Sequence, residues 1–428
     1  MRTLMSTVPV VLALSVALST ADPAGASPKI RYGIQDDAWL AYGPGTVDER
    51  VETLDRMGIK LVRFTLKWRD IAPARPGDAR DPDDPAYRWG SADDVLRSLA
   101  AHGMVPIVTL WGAPVWSNQG RDANWAPASK WSLAAFAYAA QKRYPFVHHW
   151  LIWNEPNQRR WLRPTSPREY THTLLNPAYV ALKAANRNAL VGGGVTAPRG
   201  GVGGVSPVKW IRGMRAARAK LDAYAHNPYP LRRRETPWSG GCGHCETITM
   251  ATLERLIRHV RADLGPTTRI WLTEYGYQTN PPDQMLGVSR TAQARYVGEA
   301  ARRAFNARRV DMLIHYLYRD EPDVGRWQSG FVTSRGSAKP ARRAYMVAAS
   351  QAYRRGLTTA VWGHVRPGEG RQTYVLQQFR HGGWRTVNGA YRTTQRGFFY
   401  RYLRAGRGSK LRVLHPATAT VSPILVVR

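Results

Sequence analysis

Cysteine is almost absent from this chain of 428 residues: the only two stand in Cys242-Gly243-His244-Cys245. Two thiols without paired histidines at finger spacing argue against a zinc-organised domain. A redox pair of this spacing belongs between a strand and a helix in a small domain near the N-terminus, whereas this one lies in a glycine-rich loop far along the chain. In an exported protein the plain reading is a disulfide between Cys242 and Cys245. Negative charge is scarce as well. Asp and Glu number 30 against 62 Lys and Arg, a net charge of +32, and only ten of the basic residues are lysine. The basic residues scatter in short clusters such as Arg232-Arg233-Arg234, Arg302-Arg303 and Arg354-Arg355. No aromatic-interleaved basic motif appears, so nucleic acid is not an expected partner. An anionic cell-envelope surface is a partner that such a charge suits.

Long apolar runs are missing too. The stretch around Val8 to Leu18 is too short to span a bilayer, and no later run reaches about 18 apolar residues. Preceded by Arg2 and followed by Ala24-Gly25-Ala26, it has the pattern of a secretory signal cut after Ala26. Ser27 rather than cysteine follows the cut, which argues against a lipid anchor. The expectation is an exported, soluble protein that does not span a membrane and acts as a monomer.

What is present is alternation. Apolar runs at Lys29 to Ile34, Leu61 to Leu66, Val105 to Leu110, Phe146 to Ile152, Ala189 to Val191, Leu221 to Ala225, Arg269 to Gly276 and Val310 to Ile314 read as strands. Helical stretches lie between them: Thr46 and Ser91 are placed as helix caps, Gly103 as a helix end, and Pro177 as a bend in the stretch Tyr170 to Asn186. A last helix is expected over Arg342 to Tyr353. Eight strand–helix repeats give an open doubly wound sheet or a closed barrel. No G-x-G-x-x-G follows the first strand, which disfavours a dinucleotide fold. The expected fold is therefore a (β/α)8 barrel over 27–356. Beyond it, short alternating runs such as Thr373 to Phe379 and Gly397 to Tyr402, separated by glycine turns, predict a small antiparallel β-domain over 357–428, sandwich-like.

Two of the apolar runs end in glutamate: Glu155 in Trp153-Asn154-Glu155-Pro156-Asn157 and Glu274 in Thr273-Glu274-Tyr275-Gly276. In a barrel of this kind both fall at the C-terminal mouth, where active sites sit. An acid and a carboxylate facing one cleft are the minimal equipment for cleaving a glycosidic bond, provided that their pKa values are pushed apart. Arg63, on the second strand, can hold one glutamate ionised. Tyr229 can donate a hydrogen bond to it, and Asn154 can reach a sugar hydroxyl. Trp68, Trp111, Trp116 and Trp153 carry flat faces for sugar rings, although such residues often belong to a core.

These motifs resemble the clan A retaining glycoside hydrolases. The Trp-Asn-Glu-Pro-Asn form, preceded by Trp111-Gly112-Ala113-Pro114-Val115-Trp116, is similar to family 39 and related family 5 enzymes. The resemblance covers roughly residues 29 to 355. It implies Glu155 as general acid/base and Glu274 as nucleophile, acting by double displacement with retention and with no cofactor or metal. It further implies that Asn154 binds the sugar 2-hydroxyl and that Arg63 and Tyr229 or His226 flank the nucleophile. Many clan members close the floor of the sugar site with a tryptophan at strand eight. Here that strand continues His315-Tyr316-Leu317-Tyr318, which makes Tyr316 and Tyr318 the candidates. The expected partner is a carbohydrate substrate. From a different class, the alternative is a catalytically silent glycan-binding protein of the cell envelope, against which the matched glutamates argue. A thiol oxidoreductase working through the cysteine pair lacks its fold context.

Overall fold

The computed structural model describes residues 27, 29–243 and 245–428; the expected signal segment lies outside them. Eight strands, β1 (Arg31–Gln35), β2 (Leu61–Lys67), β3 (Val105–Trp111), β4 (His149–Ile152), β5 (Leu190–Thr196), β6 (Ala223–His226), β7 (Arg269–Tyr275) and β8 (Val310–Tyr316), pair in parallel in sequence order. The barrel closes where β8 pairs with β1. Its interior is packed by Leu61, Ile107, Leu151, Ala223, Ala225, Trp271, Met312 and Ile314. Large and small residues must alternate there for the layers to fill. Gly192 on β5 shows the constraint: a Cβ at this position would stand 2.7 Å from Leu151 Cδ2 and 2.8 Å from the Trp271 ring.

The outer helices follow local chemistry. Thr46 caps helix Val47–Arg56, its hydroxyl accepting from Glu49 N while the Glu49 carboxylate accepts from Thr46 N. Ser91 does not cap. Helix Gly90–Ala101 begins one residue earlier with Trp89 in the cap position, and no side chain serves it. The stretch after β4 is helical over Pro167–Glu169, widens to a π-helix over Tyr170–Leu175 and returns to α over Asn176–Ala185. The widening ends just before Pro177, whose ring would otherwise press on the carbonyl four residues back. Among the described residues no helix is long and apolar enough to cross a membrane.

The expected last helix is corrected. Helix Pro340–Met346 stops early, and the chain enters β9 (Val347–Arg355), antiparallel to β10 (Thr358–Val365). The run Ala344-Tyr345-Met346-Val347-Ala348-Ala349 suits either state, and pairing with β10 decides it. The antiparallel part thus begins before position 357. It continues with β11 (Thr373–Arg380), β12 (Gly383–Arg392), β13 (Phe398–Arg404), β14 (Lys410–His415), β15 (Thr420–Val421) and β16 (Leu425–Val426). One sheet runs β13-β10-β9. The other runs β12-β11-β14-β15, with β16 also on β14. Val361, Phe399 and Leu403 of the first sheet meet Tyr374, Leu376, Leu411 and Val413 of the second in a common core. Side chains alternate across a strand, so Trp362 and Phe398 leave by the opposite face. There both rings pack on Phe305 of helix Arg290–Phe305, at 5.5 and 4.9 Å.

Candidate active site

The loop after β4 presents Glu155 through a backbone that few residues tolerate. Trp153 and Glu155 have φ of 69° and 40°, and Val195 at the end of β5 has 43°. Left-handed geometry at such residues costs about 1–3 kcal/mol each and persists only where the surroundings enforce it. Here Trp153 N donates to Leu110 O at 2.9 Å and Glu155 N to Val195 O at 3.0 Å, so both neighbouring strands hold the turn. The fully buried Trp153 ring fixes it from below, with Nε1 donating to Trp161 O at 2.7 Å. Glu155 itself stays half-buried at the mouth.

Arg63 organises the opposite wall. Its guanidinium is fully buried and spends its donors on Thr109 Oγ1 (2.9 Å), Thr273 O (3.0 Å), Glu274 Oε1 (2.5 Å) and Asn154 Oδ1 (2.9 Å). Tyr229 donates its hydroxyl to the second oxygen of Glu274 at 3.1 Å. Asn227 Nδ2 donates to Glu155 Oε1 at 3.1 Å, and Asn227 Oδ1 accepts from Thr273 Oγ1 at 2.8 Å. One network therefore joins both glutamates.

The two carboxyls titrate differently. Burial pushes Glu155 up to about 7, the charge of Glu274 adds to the rise, and the Asn227 bond opposes it. Burial also raises Glu274, but the Arg63 guanidinium and the Tyr229 hydroxyl oppose it. The neighbouring guanidinium favours the charged form of Glu274, so this carboxyl ionises first and its charge keeps the second proton on Glu155. Such a pair supplies one acid and one carboxylate at neutral pH. Among the described residues no group of three or more His, Cys, Asp or Glu is placed to hold a metal ion.

Other candidates from the sequence separate into those at the mouth and those elsewhere. Tyr316 stands edge-on to Tyr229, with ring centroids 6.3 Å apart. Trp111 is half-buried between Trp153 and Trp161. His226 does not flank the nucleophile. Its Nε2 donates to Ile248 O at 3.1 Å and its Nδ1 accepts from Thr196 Oγ1 at 2.8 Å, so both ring nitrogens are used. Burial lowers its pKa to about 4, leaving a neutral structural ring. Tyr318 also leaves the site: its ring lies 4.0 Å from Trp39 within the shell between barrel and helices. Trp68 is wholly buried, stacked on Phe136. Trp116 is half-buried and packs edge-on to Trp68.

Three residues at the mouth were not assigned from the sequence. Asn227 is one. Trp327 is another: the loop after β8 brings its ring 4.6 Å from Tyr229 and 5.5 Å from Tyr316, a half-buried aromatic wall beside Glu274. A lone tryptophan in the polar run Asp323-Val324-Gly325-Arg326-Trp327-Gln328 was its only signal. Gln35, at the end of β1 beside Arg63 and Tyr316, keeps a buried Oε1 without a protein partner. Away from the mouth, Cys242 and Cys245 form a disulfide in the loop between β6 and helix Leu253–Asp263. Arg255 holds that loop through the carbonyls of Cys242 (2.9 Å), Thr247 (2.8 Å), Gly243 (2.7 Å) and Cys245 (2.5 Å).

No family model matches the chain. Short stretches resemble plant β-glucosidases. A benzoxazinyl glucoside β-D-glucosidase of Secale cereale is 34% identical over 64 residues, 15% of this chain and 10% of that protein. Beta-glucosidase 40 of Arabidopsis thaliana is 29% identical over 114 residues, 26% of this chain and 21% of that protein. The matched stretches thus span a tenth to a fifth of these relatives. Solved structures align far more widely. A family 39 glycoside hydrolase from Bacteroides cellulosilyticus superposes with a TM-score of 0.60 at 17% identity, covering 88% of this chain and 81% of that one. A glycoside hydrolase family 30 endoxylanase from Clostridium papyrosolvens gives 0.51 at 12% identity, covering 91% and 97%. The β-glycosidase of Thermosphaera aggregans gives 0.51 at 14%, covering 75% and 96%. What this chain shares with these glycoside hydrolases is their fold.

Proposed function

We propose that this protein is a secreted retaining glycoside hydrolase that cleaves O-glycosidic bonds, β-linked, of an oligo- or polysaccharide. The observation that carries the reading is the unequal pair. Glu274 is held by a guanidinium and a phenol, while Glu155 keeps its proton to about pH 7 on a half-buried loop. In the first step a Glu274 oxygen attacks the anomeric carbon while the bond to the leaving oxygen breaks, and that oxygen takes the Glu155 proton. In the second step the Glu155 carboxylate accepts a proton from water, whose oxygen displaces Glu274 from the same carbon. Two inversions give net retention. Asn154, oriented by Arg63, binds the 2-hydroxyl. Tyr316, Trp327 and Trp111 wall the sugar sites.

The likeness in fold to family 39, 30 and β-glycosidase structures and the short β-glucosidase matches support the reaction class and the β-linkage. The test is a panel of aryl β-glycosides and envelope polysaccharides, with Glu274→Ala as control and the anomer of the first-formed product read by NMR. Turnover with the β-anomer first supports the proposal. First formation of the α-anomer, implying carboxyls about 6.5–9.5 Å apart rather than about 5–5.5 Å, would sink the retaining mechanism. Binding of glycans without turnover would favour the silent glycan-binding protein.

A further inference from the structure

Among the described residues, one concentration of unanswered charge lies at the other end of the barrel from the glutamates. A cavity of about 200 Å3 opens between the first residues of β1 and β2 and the turns flanking β10 and β13. Arg31 and Lys60 line it from the barrel, Arg366 and Arg396 from the antiparallel part, and no aspartate or glutamate lines it. The carboxylates within ion-pair distance of this group belong to Asp55 and Glu369, at 2.6 and 3.9 Å, and both are on Lys60.

The three arginines find only neutral partners at hydrogen-bond distance. Arg31 Nη2 donates to His149 Nε2 at 2.7 Å, and burial holds that ring neutral with a pKa of about 3. Arg396 Nη2 donates to Lys29 O (2.9 Å) and Ile30 O (3.1 Å). Arg366 is the most confined. It is 7% exposed, with its guanidinium 4.4 Å from the Tyr32 ring and 4.2 Å from the Tyr345 ring. Nη1 donates to Tyr345 O, and Nε has no partner. Burial and the neighbouring Arg396 disfavour the charge of Arg31, and Asp311, beyond ion-pair distance, offsets them only in part.

A buried guanidinium without a counter-charge costs several kcal/mol, and neighbouring cations add repulsion. Planar N–H forks from several directions match the geometry of a phosphate better than that of a spherical ion. The volume admits such an ion with several waters, each taking roughly 30 Å3. We propose that this cavity binds a tetrahedral oxyanion, phosphate as the free ion or as a monoester, and that the ion joins the base of the barrel to the antiparallel sheets. The site is independent of the glycosidase reading.

The experiment uses the full chain. Inorganic phosphate is titrated by calorimetry and thermal melting, against sodium chloride of equal ionic strength. One saturable site is expected, with phosphate raising Tm by several degrees at a large excess over Kd and chloride doing less. Arg396→Gln should weaken phosphate binding about tenfold or more, and the exposed Lys60→Gln by a smaller factor. Arg366→Met tests the buried cation, and the other two variants carry the test if it fails to fold. Methyl phosphate separates the sources: binding equal to inorganic phosphate assigns the site to an ester, and binding tenfold weaker assigns it to the free ion. Equal Tm shifts in phosphate and chloride, or unchanged phosphate affinity in both Arg396→Gln and Lys60→Gln, would overturn the site.

Discussion

Arg63 Nη1 lies 2.5 Å from Glu274 Oε1, and Nη2 of the same guanidinium holds Asn154 Oδ1 at 2.9 Å. One side chain of β2 thus sets both the charge of the carboxylate on β7 and the aim of the amide beside Glu155. The fork geometry matters, since four donor contacts leave three different nitrogens.

Arg63→Lys keeps a positive charge but reaches only part of that set. We expect kcat/KM to fall by roughly a hundredfold or more, in line with about 2–5 kcal/mol for truncating a buried, hydrogen-bonded charge partner. The acidic limb of the pH profile should move upward, because Glu274 loses part of what favours its ionised form. A profile that only drops in height would mean that Arg63 acts on packing rather than on ionisation.

In the proposed mechanism the basic limb belongs to Glu155, which must be protonated to assist the leaving group. With its pKa at about 7, activity should decline tenfold per pH unit above that value. Asn227→Ala removes a donor that favours the carboxylate, so the limb should shift to higher pH. A limb displaced to lower pH would contradict the assignment. The same sign governs stability: a carboxyl raised in the folded state binds protons that the unfolded chain releases, so its contribution falls as pH rises from about 4.5 to 7.

Trp327→Ala should cost kcat/KM some ten- to a hundredfold by releasing Tyr229 and opening the proposed sugar wall. Trp327→Phe should recover most of it, while Tm stays close to that of the parent. Equal kinetics for all three proteins would remove Trp327 from the site.

The loop that delivers Trp327 is tied down by an ion pair buried to 0% and 2% side-chain exposure: Lys339 Nζ to Asp320 at 2.7 Å, with further bonds to Thr279 Oγ1 (2.8 Å) and Gln328 O (2.9 Å). Lys339→Met leaves the Asp320 carboxylate buried and unpaired, a loss of about 3–5 kcal/mol. Chemical denaturation should read that loss directly. Adding Asp320→Asn should recover part of it, because the remaining charge is then gone. No recovery in the double variant would show that the pair is not where the energy lies.

The barrel was legible because eight apolar runs alternate with helical stretches, and Glu155 and Glu274 were legible because they close two of those runs. His226 looked equivalent to Tyr229 in the sequence, three positions away in the same segment. Only the packing of Thr196 and Ile248 against its ring shows that both nitrogens are taken. Strand alternation would put Tyr316 and Tyr318 on one face, but β8 ends at Tyr316 and the left-handed Leu317, at φ 80°, turns the chain between them. The segment from Val347 was misread as helix because alanines and an aromatic permit both states until β10 supplies the pairing. Trp327 escaped because it stands in a loop, where position in sequence says little about position in space.

The sheet β13-β10-β9 has apolar residues on both sides: Val361 and Phe399 serve the sandwich core, while Trp362 and Phe398 serve the barrel shell. It is a wall common to two rooms. Exchange of the C-terminal segment with that of another protein would therefore have to reproduce not a linker but a fitted surface, tooth for tooth against Phe305 and Tyr32. A transplanted segment without the same inner face would leave Phe305 and Tyr32 uncovered, so the two parts should unfold together rather than as independent modules.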